Sequence, residues 1–252
     1  MKPHPLFFAD LRRLVPSFAL VAWLAVSGLL LPACDSDPET TDAPPPATWT
    51  VAGPTAEDSA CNPVAFAGDC LTPYPSNFFL APDEALPSGA RVQLPEAVLP
   101  ARTDNKHFSF MSLHPADGFS VLPQIAIRIP GSVAVAELVP FTGDLGKSQL
   151  PANRTVLVDA ETGALVPHFA ETDPRPEAKD DQALYVRPVI RLQGGHRYVV
   201  ALRAQGGDGG LHHLDGTAIT APAGFAALRD GQAPQGPNGA RLLAYFDAHV
   251  FP

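Results

Sequence analysis

The sequence predicts a mainly β fold, an antiparallel β-sandwich followed by a short helical segment at the C-terminal end. Three observations carry that expectation. Apolar residues make up 46% of the 252-residue chain, enough for a packed core, while 29 Pro and 20 Gly favour short strands and frequent turns over long helices. Several runs alternate with period two, as strands do and helices do not. Glycine- and proline-bearing turns separate these runs.

In chain order, Lys2, Arg12 and Arg13 precede an apolar run, Leu14–Leu31, broken by Pro16, Ser17 and Ser27. Leu31-Pro32-Ala33-Cys34 closes the run and an acidic stretch begins. This is the layout of an export signal over residues 1–33. A transmembrane helix is a competing reading, because the run is nearly long enough to span a bilayer. Ala33-Cys34 resembles the bacterial lipobox, which implies a mature chain beginning at a lipidated Cys34. Simple cleavage and a retained anchor are the alternatives, and all three put the body outside the cytoplasm. The lipid would anchor it to the extracytoplasmic side of the cell envelope. Asp35 resembles the inner-membrane retention signal of enteric bacteria.

Residues 34–58 are acidic and rich in Pro and Thr, a composition that cannot bury enough apolar surface to offset its ordering entropy. A disordered tether is expected there. The formal charge is −9 overall; the first 33 residues contribute +2, so residues 34–252 carry −11. That balance excludes a nucleic-acid partner, whose phosphates require a basic patch. With Cys34 lipidated, Cys61 and Cys70 remain, and an oxidising compartment favours a disulfide between them. Such a bridge closes a short loop and would contribute roughly 2–3 kcal/mol. A metal site on the same two residues lacks further ligands at the right spacing, so no metal or cofactor is expected.

A β-sandwich domain is expected over residues 59–221 and a helical segment over 222–252. Arg91–Pro95 follows Pro and Gly turns. Asp117-Gly118-Phe119-Ser120 reads as a turn that packs Phe119 at the entry to a strand. In Val121–Pro130, Ile125, Ile127 and Ile129 share one face, with Ala126 and Arg128 opposite. Val133–Pro140 reads as a neighbouring strand, and Phe141–Ala152 as a polar loop. Arg154–Asp159 and Ala164–Phe169 flank Ala160-Glu161-Thr162-Gly163, predicting a hairpin with a positive φ at Gly163 and an edge strand at Pro167. Glu171–Asp181 is a charged loop. His212 and His213, in a Gly-rich turn, are expected in solvent, and Thr217–Thr220 as a last short strand.

The centre of the pattern is Gln182–Ala204. Two strand-like runs, Ala183–Ile190 and Arg197–Leu202, are joined by Leu192-Gln193-Gly194-Gly195-His196. The spacing Leu192-x-x-Gly195-x-x-Tyr198 resembles the tyrosine corner of Ig-type sandwiches, in which a Tyr hydroxyl bonds upstream backbone where the chain crosses between sheets. The expected fold is therefore an Ig-like antiparallel sandwich. Pro222–Arg229 and Gly239–Val250 have helical character, the latter with Leu242, Tyr245, Phe246, His249 and Val250 on one face. An apolar helix face there predicts either a following domain or packing back onto the sandwich.

A family resemblance covers roughly residues 61–230. Cys70-Leu-Thr-Pro-Tyr-Pro-Ser-Asn-Phe-Phe-Leu80, then Arg91-Val-Gln-Leu-Pro95 and Asp117-Gly-Phe-Ser-Val-Leu-Pro123, resemble the N-terminal domain of bacterial virulence-factor lipases. Those are surface lipoproteins in which this domain precedes an α/β-hydrolase. Val186–Leu202 resembles both that domain and the bacterial Ig-like modules of surface-layer proteins. The matching motifs are structural rather than catalytic.

No catalytic constellation is visible. The G-x-S-x-G pentad that exposes a hydrolase serine is absent, and Ser120 and Ser132 lack its flanking glycines. Gly143-Asp-Leu-Gly146-Lys147-Ser148 ends like a phosphate-binding loop without its spacing, and no H-E-x-x-H occurs. Asp180-Asp181 and Glu171/Asp173 sit in polar stretches. The expectation is a lipid-anchored, non-catalytic spacer or interaction module, with an envelope protein or polysaccharide as partner. The alternative is the N-terminal part of a surface lipase or esterase whose hydrolase domain lies beyond this chain.

Overall fold

In the computed structural model, antiparallel strands form small sheets and two helices follow them. The structure describes residues 62, 64–66, 71–94, 99, 103–104, 106, 114–204, 209–236 and 239–251. The expected signal peptide, the tether, Cys34 and the Cys61–Cys70 pair lie outside the described residues.

Two short strands, β1 (Leu80–Pro82) and β2 (Ala90–Val92), pair as a hairpin. They are preceded by a 3-10 turn, Asn77–Phe79, capped by the Ser76 hydroxyl, which accepts the Phe78 N–H. β3 (Ile125–Ile127), β6 (Leu184–Pro188) and β5 (His168–Thr172) form a three-stranded sheet with β6 in the middle. β4 (Thr155–Asp159) and β7 (Tyr198–Leu202) form a separate pair. All of these pairings are antiparallel.

The alternating residues serve one shared core. Ile125, Ile127 and Ile129, Leu157, Ala170, Leu184 and Val186 belong to a single buried cluster, with Tyr198, Val200 and Leu202 packed against it. That cluster joins the three-stranded sheet to the two-stranded one. Each buried Leu or Ile side chain stabilises the fold by about 1.5–3 kcal/mol relative to exposure.

The connections differ from expectation in instructive ways. β4 and the following run do not complete a hairpin. Gly163 does take a positive φ of 72°, and Val166 N–H donates to Leu157 C=O at 2.8 Å. Beyond that point Pro167, lacking an N–H, cannot continue the ladder. The chain instead crosses to the other sheet, where β5 pairs with β6 at the sheet's edge. The strand expected over Val133–Pro140 is interrupted by a 3-10 turn at Val135–Glu137, which turns Glu137 towards His212. The expected strand Val121–Pro130 is ladder-paired only at Ile125–Ile127, because Pro123 and Pro130 bracket it. Glu171 and Thr172, assigned to a loop from sequence, end β5. Thr217–Thr220 makes one isolated bridge, His212 to Ala218, rather than a strand.

The helices are α1 (Ala223–Arg229) and α2 (Gly239–His249). Of the apolar face of α2, Leu242 is buried, and the Tyr245 hydroxyl accepts from Asn77 Nδ2 at 2.8 Å. Phe251 packs against both Phe225 and Phe246. No helix among the described residues is long and apolar enough to cross a membrane.

Candidate functional site

Three polar constellations stand out. The first lies where β6 hands over to β7. Leu192 is buried in the shared core, and its N–H donates to Val121 C=O at 2.9 Å. Gly195 has φ 78°, a region that L side chains avoid, so the loop can reverse there. The reversal lets the Tyr198 hydroxyl accept from Gln193 N–H at 2.8 Å. The three spaced residues thus meet around one loop, between strands of different sheets.

Asp159, at the end of β4, ties this loop to its neighbour. Its Oδ1 accepts the N–H groups of Glu161 and Thr162, and its Oδ2 lies 2.8 Å from His196 Nδ1, which donates. Burial raises the Asp159 pKa, but the His196 hydrogen bond and the two backbone donors outweigh it and leave the carboxyl below its ordinary value. The His196 ring stacks near Tyr198, centroids 6.4 Å apart. Burial and the nearby Asp159 charge push the phenol up, against the opposing Gln193 bond. Every group here is engaged in holding two loops together.

The second constellation is a cleft of about 270 Å³ on the outer face of the three-stranded sheet, lined by Gln124, Glu171, Asp173, Arg175, Tyr185 and Arg187. Its charges are paired: Arg187 Nε lies 2.9 Å from Glu171 Oε1, and Arg175 grips both Asp173 oxygens at 2.7–3.2 Å. The Arg175 hydrogen bonds hold the Asp173 carboxyl at about 2. Arg187 also lies 5.0 Å over the Tyr185 ring, in cation–π range. That arrangement occupies the ring face a sugar would stack on.

The third is buried and was missed from sequence. His168 is fully enclosed, with Nδ1 2.9 Å from Val166 C=O and Nε2 2.9 Å from Thr155 Oγ1. Since a carbonyl can only accept, Nδ1 carries the proton and Nε2 accepts from the Thr155 hydroxyl. Asn153 Nδ2 donates to Thr155 C=O and Oγ1, while Ser148 Oγ accepts from His168 N–H. Burial lowers the His168 pKa and keeps the ring neutral. The signal was available: His168 is two residues from buried Val166 and two from buried Ala170, on the inward side of an alternating run.

The His pair is not in solvent. His212 donates from both its N–H and Nδ1 to the Glu137 carboxylate, at 2.8 and 2.7 Å, and His213 Nδ1 donates to Ser132 C=O at 3.1 Å. Both rings are half-buried, because the 3-10 turn at Val135–Glu137 brings a carboxylate beneath the Gly-rich turn.

Chemically, these groups are suited to cohesion. The Thr155–His168 contact is a hydroxyl–imidazole pair, but it is sealed in the core and its second nitrogen is held by a carbonyl rather than a carboxylate. Among the described residues no three His, Cys, Asp or Glu side chains gather as a metal site. Leu192, Gly195 and Tyr198 come together; Cys34, Cys61 and Cys70 lie outside the described residues. No family model, curated protein or solved structure matches the chain.

Proposed function

We propose that this chain is a lipid-anchored envelope protein whose folded part is a non-catalytic, Ig-like sandwich acting as a spacer or interaction module. The observation that carries the fold part of this reading is the Tyr198–Gln193 bond, made where the chain passes from a strand of one sheet to a strand of the other. Strand order supports it as well. β3-β6-β5 and β4-β7 correspond to the B-E-D and C-F pairings of Ig-type domains, and the bridge from Tyr74 to Ala126 occupies the position of an A strand. The basic and apolar start of the sequence, ending at Ala33-Cys34, supports the anchor.

The test is intact mass of the membrane-extracted protein, with and without reduction. The expected species begins at Cys34, carries acyl chains and gains two protons on reduction. An unacylated chain retaining residues 1–33 would overturn the anchor.

The second reading is the N-terminal, non-catalytic part of a surface lipase or esterase. The resemblance over residues 61–230 favours it. An in-frame G-x-S-x-G segment downstream of the coding sequence, with esterase activity only in the longer product, would establish it in place of the first.

A further inference from the structure

Among the described residues, Ser132 is the one residue other than glycine with a left-handed backbone, at φ 54°. The turn before it does not require this. Ser132 N–H donates to Ile129 C=O at 2.8 Å, and Pro130 with Gly131, at φ 82°, fills the central positions of a type II turn. Such a turn calls for a positive φ at Gly131 and nothing unusual at the residue after it. Ser132 is held by its surroundings instead. It is fully buried, Val133 beside it belongs to the core, and its C=O accepts from His213 Nδ1 at 3.1 Å. Non-glycine residues in this region persist only where the structure over-determines them, and they cluster at functional sites.

The left-handed φ bears directly on the Gly131–Ser132 peptide bond. At a helical φ, tetrahedral geometry sets Cβ anti to the preceding carbonyl carbon, and at an extended φ well away from it. A left-handed φ sets Cβ gauche to that carbon. The Ser132 hydroxyl is therefore carried on the side of the Gly131 carbonyl carbon, as a five-membered ring between the two requires. It is not firmly tied elsewhere: its donation to Gln182 C=O spans 3.3 Å, against roughly 2.7–2.8 Å for a well-formed O–H···O bond. The His213 ring packs on the same peptide, where a Cβ at residue 131 would stand 3.1 Å from Nδ1. Residue 131 is thus held to glycine by space as well as by φ, and glycine leaves its carbonyl carbon the least hindered.

We propose that the chain cleaves itself once between Gly131 and Ser132, through an N-to-O acyl shift. Ser132 Oγ bonds to the Gly131 carbonyl carbon, and the peptide C–N bond breaks as the hydroxyl proton passes to the departing nitrogen. This leaves an ester between Gly131 and Ser132 Oγ, with a free amine on Ser132. Water, the co-reactant, hydrolyses the ester to a Gly131 carboxylate and restores the hydroxyl. Pro130 is exposed and Gly131 half-buried, so the bond lies where the chain leaves solvent for the core. Cleavage removes the Ser132 φ torsion and with it the strain. The fold keeps the products together, since β3 in the first fragment pairs with β6 in the second and their Ile and Leu side chains share one core. A single self-cleavage goes beyond the interaction-module reading and does not depend on it.

The test is the purified full chain incubated at neutral pH, with and without hydroxylamine, and sampled by denaturing electrophoresis and intact mass. Two fragments are expected, the second beginning at Ser132, and they should co-elute on native size exclusion. Hydroxylamine should trap the ester as a Gly131 hydroxamate, which fragment mass separates from attack at Asn238-Gly239. Ser132→Gly should lose the cleavage entirely, because glycine adopts φ 54° without strain while the nucleophile is gone. A wild-type chain that stays whole in hydroxylamine would overturn the proposal. So would cleavage that persists in Ser132→Gly, which marks a contaminating protease. The hydroxamate needs no variant, so it decides the question even if Ser132→Gly fails to fold.

Discussion

β6 and β7 follow one another in the chain, alternate alike, and end in different surroundings. β6 has β3 on one side and β5 on the other, and its inward Leu184 and Val186 are fully buried. Among the described residues β7 pairs with β4 alone, and its inward Tyr198, Val200 and Leu202 remain half-exposed. Alternation therefore decides which way a side chain points. How deeply it is buried depends on neighbours that the strand's own sequence does not specify. The three-stranded sheet is also flanked at its edges, by the Tyr74 bridge to β3 and by Val139 C=O accepting from Ala170 N–H of β5.

Four measurements would break or sharpen this comparison. Leu184→Ala should cost about 3 kcal/mol in urea denaturation, since it leaves a cavity in a closed layer, whereas Val200→Ala should cost about 1 kcal/mol. Equal costs would show that β7 is as enclosed as β6. Thr155→Val should cost about 2 kcal/mol, because it leaves buried His168 Nε2 without its donor. A neutral result there would mean that the ring finds another partner. Tyr198→Phe should cost about 1 kcal/mol through loss of the Gln193 bond, and an unchanged midpoint would count against a structural role for that hydroxyl.

The mildest perturbation is pH. The folded pKa of His168 lies below its unfolded value of about 6.5, so the unfolded chain takes up the proton more readily. Stability contributed by the neutral ring is fully present above that unfolded pKa and declines as the pH falls from there towards the folded pKa. Denaturation midpoints between neutral pH and the mid-5 range should show this fall, and His168→Gln should flatten it. A flat wild-type profile would show that the ring is not held neutral by burial.

Glu137 and Asp159 act in a more acidic window. Burial raises both pKa values, but His212 hydrogen bonds and the Arg154 charge outweigh it for Glu137, as His196 and backbone donors do for Asp159. Their contributions persist above the ordinary carboxylate range and are lost only as the pH falls through the depressed values.

The sequence by itself determined the local terms. Period-two runs marked β3, β6 and β7, Gly163 marked a reversal, and 3.6-residue spacing marked α2, because each depends on a side chain's direction or a backbone angle within a few residues. Leu192, Gly195 and Tyr198 were legible for the same reason: their bond closes over five residues. What only the tertiary structure decided were the long-range terms. Pro167 could end a ladder, but nothing near it specified that the chain would cross to β6. Glu137 and His212 are 75 residues apart, and His213 and Ser132 81, and these pairings accompany a 3-10 turn where a strand was expected and two half-buried histidines where solvent was expected. The placing of β6 between two neighbours is of the same kind, since a strand carries its hydrogen-bonding groups in its sequence and acquires its neighbours only when the sheets assemble.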